Sequence, residues 1–135
     1  MSATERLDKK IIVNAIKTPD GTVIESRYRH DYVTHVDKNG FSYSVDGGTS
    51  YLKRAYTPDA PPYTEMSIFE GDSHYITRGS FSWGNYGKEG DEPLHYIFLK
   101  DLTSEHIKNI LRTQTHIPAY IRQVFKDEMS FRAQW

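Results

Sequence analysis

The sequence predicts an α+β fold, an N-terminal antiparallel β-sheet packed on a C-terminal two-helix hairpin, and three patterns carry that prediction. Two turn signals, Pro19-Asp20-Gly21 and Asp37-Lys38-Asn39-Gly40, each separate β-prone runs. Proline presets φ, and glycine accepts the positive φ that tight hairpins need. Beyond residue 100 the apolar positions change to a helical period, with Ile107, Ile110 and Leu111 on one face, then Ile121, Val124 and Phe125.

Taken in order, Ile11, Ile12, Val13 and Ile16 form the first strand and Thr22 to Arg27 pairs back on it. Tyr32 to Val36 and Phe41 to Val45 make the second hairpin, so the N-terminal third reads as an antiparallel meander. Alternation from Tyr28 to Val36 places His30, Tyr32, Thr34 and Val36 on one face and Arg29, Asp31, Val33 and His35 on the other. Asp46-Gly47-Gly48 then turns into a short element, Tyr51-Leu52-Lys53-Arg54. Three prolines between Thr57 and Tyr63 predict a loop, either crossing the domain or acting as a flap. Residues 72 to 80 fit a helical turn capped by Asp72 and fit strand alternation equally well. Tyr96 to Leu99 is a short strand. Asp101 to Thr103 offers a cap for the first helix, and Pro118 opens the second, with Glu128 or Met129 continuing its stripe and Arg122, Lys126 and Asp127 exposed.

At 135 residues the chain is expected to form a single ligand-binding domain over 1–135. Seventeen basic and eighteen acidic residues leave a formal charge of -1, which argues against coating long nucleic acid. Cysteine is absent, so disulfides and thiolate chemistry are excluded. The polar start Met-Ser-Ala-Thr-Glu-Arg and the lack of a long apolar run predict a soluble, intracellular protein without a membrane span. Aromatics make up 13% of the chain, ten of them tyrosines, more than a core of this size needs. The surplus points to an interface or a pocket, with a homodimer the default assembly.

The six histidines fall in no ligand constellation, so no metal and no cofactor is expected. His30, His35, Asp31 and Asp91 are acid-base groups with nothing in the sequence to show that they converge. The segment Phe81-Ser82-Trp83-Gly84-Asn85-Tyr86-Gly87-Lys88-Glu89-Gly90-Asp91 reads as a loop. Its rings offer stacking faces and its glycines permit close approach. The competing reading is a turn whose Phe81 and Trp83 complete the core. It has a superficial likeness to phosphate loops, but no strand directly before it and helix directly after it can be drawn. Cations recur beside aromatics or glycine turns: Arg27 and Arg29 by Tyr28, Arg54 near Tyr51, and Lys88. Lys108 and Arg112 lie four residues apart on one helical face, placed to hold one phosphate together. Each cation alone is also compatible with a solvated surface charge.

The runs Arg-His-Asp-Tyr-Val-Thr-His, Asp-Gly-Gly, Tyr-Leu-Lys-Arg and Trp-Gly-x-x-Gly-Lys-x-Gly, followed by a final pair of helices, span residues 19 to 132. In these the chain resembles the phage Thoeris anti-defence sponge family, first type. The resemblance implies an antiparallel sheet wrapping two C-terminal helices, and dimers that assemble further. It implies capture, without catalysis, of a cyclic ADP-ribose isomer made by bacterial TIR-domain proteins, with cyclic oligonucleotides as further ligands, in the cytoplasm of the infected host. The ligand contacts it implies fall on Arg27, Arg54 and Lys108 or Arg112, a stacking ring on Phe81 or Trp83, and a polar contact near Asp91. Lysine lacks arginine's planar fork and Asp91 carries the wrong charge for a phosphate, so Asn85 or Asn109 is the substitute amide. Two other readings stand beside this one: inhibition of a host protein, with Trp135 of the terminal Phe131-Arg132-Ala133-Gln134-Trp135 as anchor, and a small nucleotide-processing enzyme.

Overall fold

A computed structural model describes residues 9–134. The polar start and the expected anchor Trp135 lie outside the described residues. The chain combines antiparallel strands in its N-terminal part with a helical C-terminal region, and it divides into two compact units, Met1–Glu70 and Gly71–Trp135.

In the first unit, β1 (Ile11–Lys17) is the central strand, antiparallel to β2 (Val23–Ser26) on one edge and to the short β6 (Thr64–Glu65) and β7 (Ile68–Phe69) on the other. Residues 11 to 16 are all buried, so β1 is covered on both faces and carries no apolar-polar alternation. A second sheet has the order β3 (Val33–Val36), β4 (Ser42–Asp46), β5 (Lys53–Tyr56). Ile16 and Ile24 pack with Tyr43 and Val45 of that sheet, flanked by Val33, Phe41, Ala60 and Tyr63.

The N-terminal third is therefore two sheets and not the one continuous meander expected. The break lies at His30, whose φ of 67 ends the extended run, in a turn closed by the bond from the Asp31 amide to the Tyr28 carbonyl. His30 and Arg29 consequently belong to no strand face, and alternation begins only at Val33. The Asn39-Gly40 hairpin is present, with Gly40 at φ 89. The proline loop is fastened: the Tyr43 hydroxyl donates to the Pro61 carbonyl at 2.6 Å and the Ser42 amide donates to Thr57 Oγ1 at 2.8 Å.

Asp20 joins the two hairpin ends. Its carboxylate accepts from Thr18 Oγ1 at 2.6 Å and from the Thr22 and Lys38 amides, and lies 2.9 Å from His35 Nε2. The bonds from Thr18 and His35 are the main reasons its carboxyl sits far below the usual range. A carboxylate depressed on folding adds stability that is complete above its unfolded pKa of about 3.9 and is lost as pH falls below it. Asp20→Ala is expected to lower the melting temperature by several degrees at pH 7, with the deficit shrinking as pH falls below 4; an unchanged melt at pH 7 would show the latch to be energetically idle.

In the second unit, α1 (His74–Ser80) settles the undecided segment as a helix. Ser73, not Asp72, occupies its N-cap. The supposed loop at 81–91 is corrected in part: β8 (Ser82–Asn85) pairs with β9 (His95–Phe98), leaving only 86–94 as the connecting loop. A short 3-10 turn, Leu99–Asp101, leads into α2 (Ser104–Thr113) and then α3 (Ala119–Ala133). Thr103 caps α2 by accepting from the His106 amide at 3.1 Å, and Pro118 stands at the N-cap of α3. Arg122, expected to be exposed, is half-buried: it donates to the carbonyls of Leu111 at 2.9 Å and Gln114 at 3.2 Å, satisfying acceptors left open at the end of α2. Among the described residues no helix is long and apolar enough to cross a membrane.

Candidate functional site

The sequence-selected residues separate by unit. In the first unit, Arg27 is exposed just beyond β2, with its guanidinium 3.6 Å from Glu25. Arg54 on β5 turns its fork inward. It donates to Asn14 Oδ1 at 2.7 Å, to Glu65 Oε1 at 2.7 Å and to Ser67 Oγ at 3.0 Å. Asn14, almost fully buried, shares its own amide N–H bonds among the carbonyls of Asp46, Gly48 and Tyr51. Arg54 thus completes a partly buried polar network, with Glu65 at its exposed edge, that ties β1 to the second sheet and to the 46–51 turn.

In the second unit, Phe81 is a core residue, 7% exposed and edge-on to Phe125. Trp83 is half-buried on the same ring, its centroid 5.3 Å away. Both therefore have the packing of core aromatics. Asp91 is exposed on the loop, and Lys108 is exposed on α2. Arg112, also exposed, donates to Asn109 Oδ1 at 2.7 Å.

What the fold does bring together is a cleft of about 410 Å³ lined by Asn85, Gly87, Lys88, Thr103, Glu105, His106 and Asn109. Three segments build it: the end of β8, the loop after it and the first turns of α2. Gly87 suits the loop, since its φ of 85 disfavours a side chain, and a Cβ there would push the Glu92 carboxylate aside. A strand does directly precede this glycine-rich loop, contrary to expectation, but a second strand and not a helix follows it.

The polarity of the cleft is set by bonds within the chain. Asn85 Oδ1 accepts from the Gly87 amide at 3.2 Å, while Asn109 Oδ1 accepts from Arg112. Each amide therefore has its oxygen engaged and its NH2 group left to donate. Lys88 adds an exposed ammonium, so two neutral donors and one cation line a space with the size of a small-molecule site. Glu105 is the one carboxylate in the lining.

The sequence had singled out Asn85, Lys88 and Asn109, but not Glu105 or His106. The available signal was Thr103-Ser-Glu-His, a capped helix start that brings two titratable side chains into the first turn.

A second cluster is centred on a residue that the sequence placed on the helical stripe without its partners. Glu128 on α3 is fully buried and receives Arg78 Nε and Nη2 at 2.9 Å each, Arg132 Nε at 2.7 Å, and His74 Nε2 at 2.9 Å. Burial pushes its carboxyl up, but the bonds from Arg78, Arg132 and His74 outweigh that and hold it at about 2. Arg78 also stacks on Phe131, 4.4 Å from the ring centre, and Arg132 reaches the carbonyls of Leu99 and Leu102. With every partner internal, this is a fastening for the second unit and not a ligand site. Among the described residues no group of three or more potential metal ligands is found. Comparison with family models, curated proteins and solved structures gave no match.

Proposed function

We propose that this chain is a phage anti-defence protein that captures a small cyclic nucleotide signal, a cyclic ADP-ribose isomer being the first candidate, and holds it without cleaving it. The observation that supports this reading is the donor polarity of the cleft. Asn85 and Asn109 both offer NH2 groups beside Lys88, a set matched to the acceptor-rich surface of a phosphate-bearing ligand. Capture without chemistry needs only such donors. The sequence resemblance supplies the identity of the signal, the cytoplasm of the infected host as its place of action, and a homodimer or higher homo-oligomer as the working form.

The test is to mix the protein with cyclic ADP-ribose isomers and a panel of cyclic oligonucleotides, remove the protein by filtration, heat the retained fraction and weigh both fractions by mass spectrometry. Depletion followed by recovery of the unchanged compound is expected. A changed mass would make the protein an enzyme.

A second reading, inhibition of a host protein, is favoured by the apolar surface of the β8–β9 ribbon. Tyr96 and Phe98 share its outer face, at 39% and 46% exposed, with Leu94 beside them at 47%. No depletion across the panel would move the assignment to that reading.

A further inference from the structure

The cleft contains one group that a plain anion site would not have. Glu105 lines it beside Lys88, and among the described residues no hydrogen bond or ion pair engages its carboxylate. A carboxylate facing a phosphate ligand repels it unless another part of that ligand donates to it. The fixed charges of the lining, Lys88 and Glu105, cancel when His106 is neutral. Such a lining suits a ligand with few phosphate charges and with hydroxyl donors close to them.

We propose that Glu105 is the specificity-determining residue of the cleft, accepting hydrogen bonds from ribose hydroxyls of the bound nucleotide and disfavouring ligands that are more highly charged or lack those hydroxyls. This rests on the reading of the cleft as a nucleotide site. The division of labour follows from position. Lys88 and the two asparagine amides come from the loop side and the second turn of α2 and donate to phosphate oxygens. Glu105, in the first turn of α2, is the only ionised acceptor in the lining. A hydrogen bond to a charged acceptor contributes about 1.5–3 kcal/mol, or roughly ten- to hundredfold in affinity, and an unmatched carboxylate makes loss of the hydroxyl more costly still.

The experiment measures binding of cyclic ADP-ribose and of its analogue lacking the ribose 2′-hydroxyls, by calorimetry at fixed salt, to the full chain and to Glu105→Gln. The wild-type protein is expected to prefer the hydroxylated compound about tenfold or more. Glu105→Gln should reduce that preference to about threefold or less while binding the deoxy analogue more tightly than wild type, because repulsion is relieved. Glu105 is exposed, so the variant should melt with the wild type. Equal binding of the two compounds by the wild type, or an undiminished preference in Glu105→Gln, would overturn the role of Glu105 and leave the nucleotide reading standing. Binding of neither compound by the wild type would overturn the role of Glu105, and the nucleotide reading would fall with it if the wider panel of isomers and cyclic oligonucleotides is not retained either.

Discussion

Glu128→Ala is expected to destabilise the second unit by about 3 kcal/mol, the lower part of the range for removing one partner from a buried ion pair. The loss has two sources. Arg78, Arg132 and His74 have converged on a carboxylate with no solvent exposure, and its removal leaves two guanidiniums facing each other across a void. Their own side chains keep about a fifth of their surface in water, at 21% and 22%, so part of their charge can rehydrate; this places the effect at the low end. Against a total stability of about 5–15 kcal/mol the change is large. Glu128→Gln tests the charge apart from the volume. It keeps the shape but puts an NH2 group where one oxygen accepts from Arg78 and from either His74 or Arg132, and it should also destabilise. Chemical denaturation supplies the free energy, and hydrogen exchange along Ala119–Ala133 shows whether α3 is the part that loosens. A Glu128→Ala protein with wild-type stability would mean that desolvation cancels the attraction completely.

The same carboxylate gives the second unit an acid limit. Its folded value of about 2 lies below the unfolded value of about 4.3, so the stabilisation is complete above about 4.3 and disappears as pH falls towards 2. Asp20 acts in the same direction in the first unit.

The readable parts of this fold were the parts written locally. Asn39-Gly40 and Pro19-Asp20-Gly21 specify turns within four residues, and Thr103 with the Ile107 and Ile110 stripe specifies a capped amphipathic helix. The strand at Ser82–Asn85 was obscured by Gly84, a residue that weakens strands and is tolerated here because Leu94 and Tyr96 close over it. Glu128 could not be read as a hub, because Arg78 and His74 reach it from 50 and 54 residues away, through a helix the local pattern did not settle. Within its own helix the trace was present: a carboxylate on the apolar stripe after Ile121, Val124 and Phe125, with Arg132 four residues on. Arg54 shows the opposite case. Its residue type pointed to a ligand, whereas its partners Asn14, Glu65 and Ser67 are all internal. Donor capacity is visible in sequence; whether the fold has already used it is not.

That distinction decides which substitution separates binding from folding. If the cleft holds a nucleotide as proposed, Lys88→Ala weakens its retention about ten- to hundredfold and leaves the melting temperature unchanged. Lys88 lines the cleft and is exposed, with no hydrogen bond or ion pair of its own among the described residues, so its removal takes nothing from the folded chain. A charge-assisted bond to phosphate contributes about 1.5–3 kcal/mol, which gives the expected fold-change. The residual binding of Lys88→Ala should also depend less on salt than that of the wild type, because one cation-phosphate contact is gone. Arg54 offers no such separation, since losing it would leave the buried Asn14 Oδ1 without its donor. Asn109→Ala is intermediate: it removes an NH2 from the cleft but also releases Arg112, a cation that can then compensate. A Lys88→Ala protein that retains nucleotide with wild-type affinity and wild-type salt dependence would place the ligand elsewhere on the molecule, and the donor polarity of this cleft would then be a by-product of how its two asparagines are held.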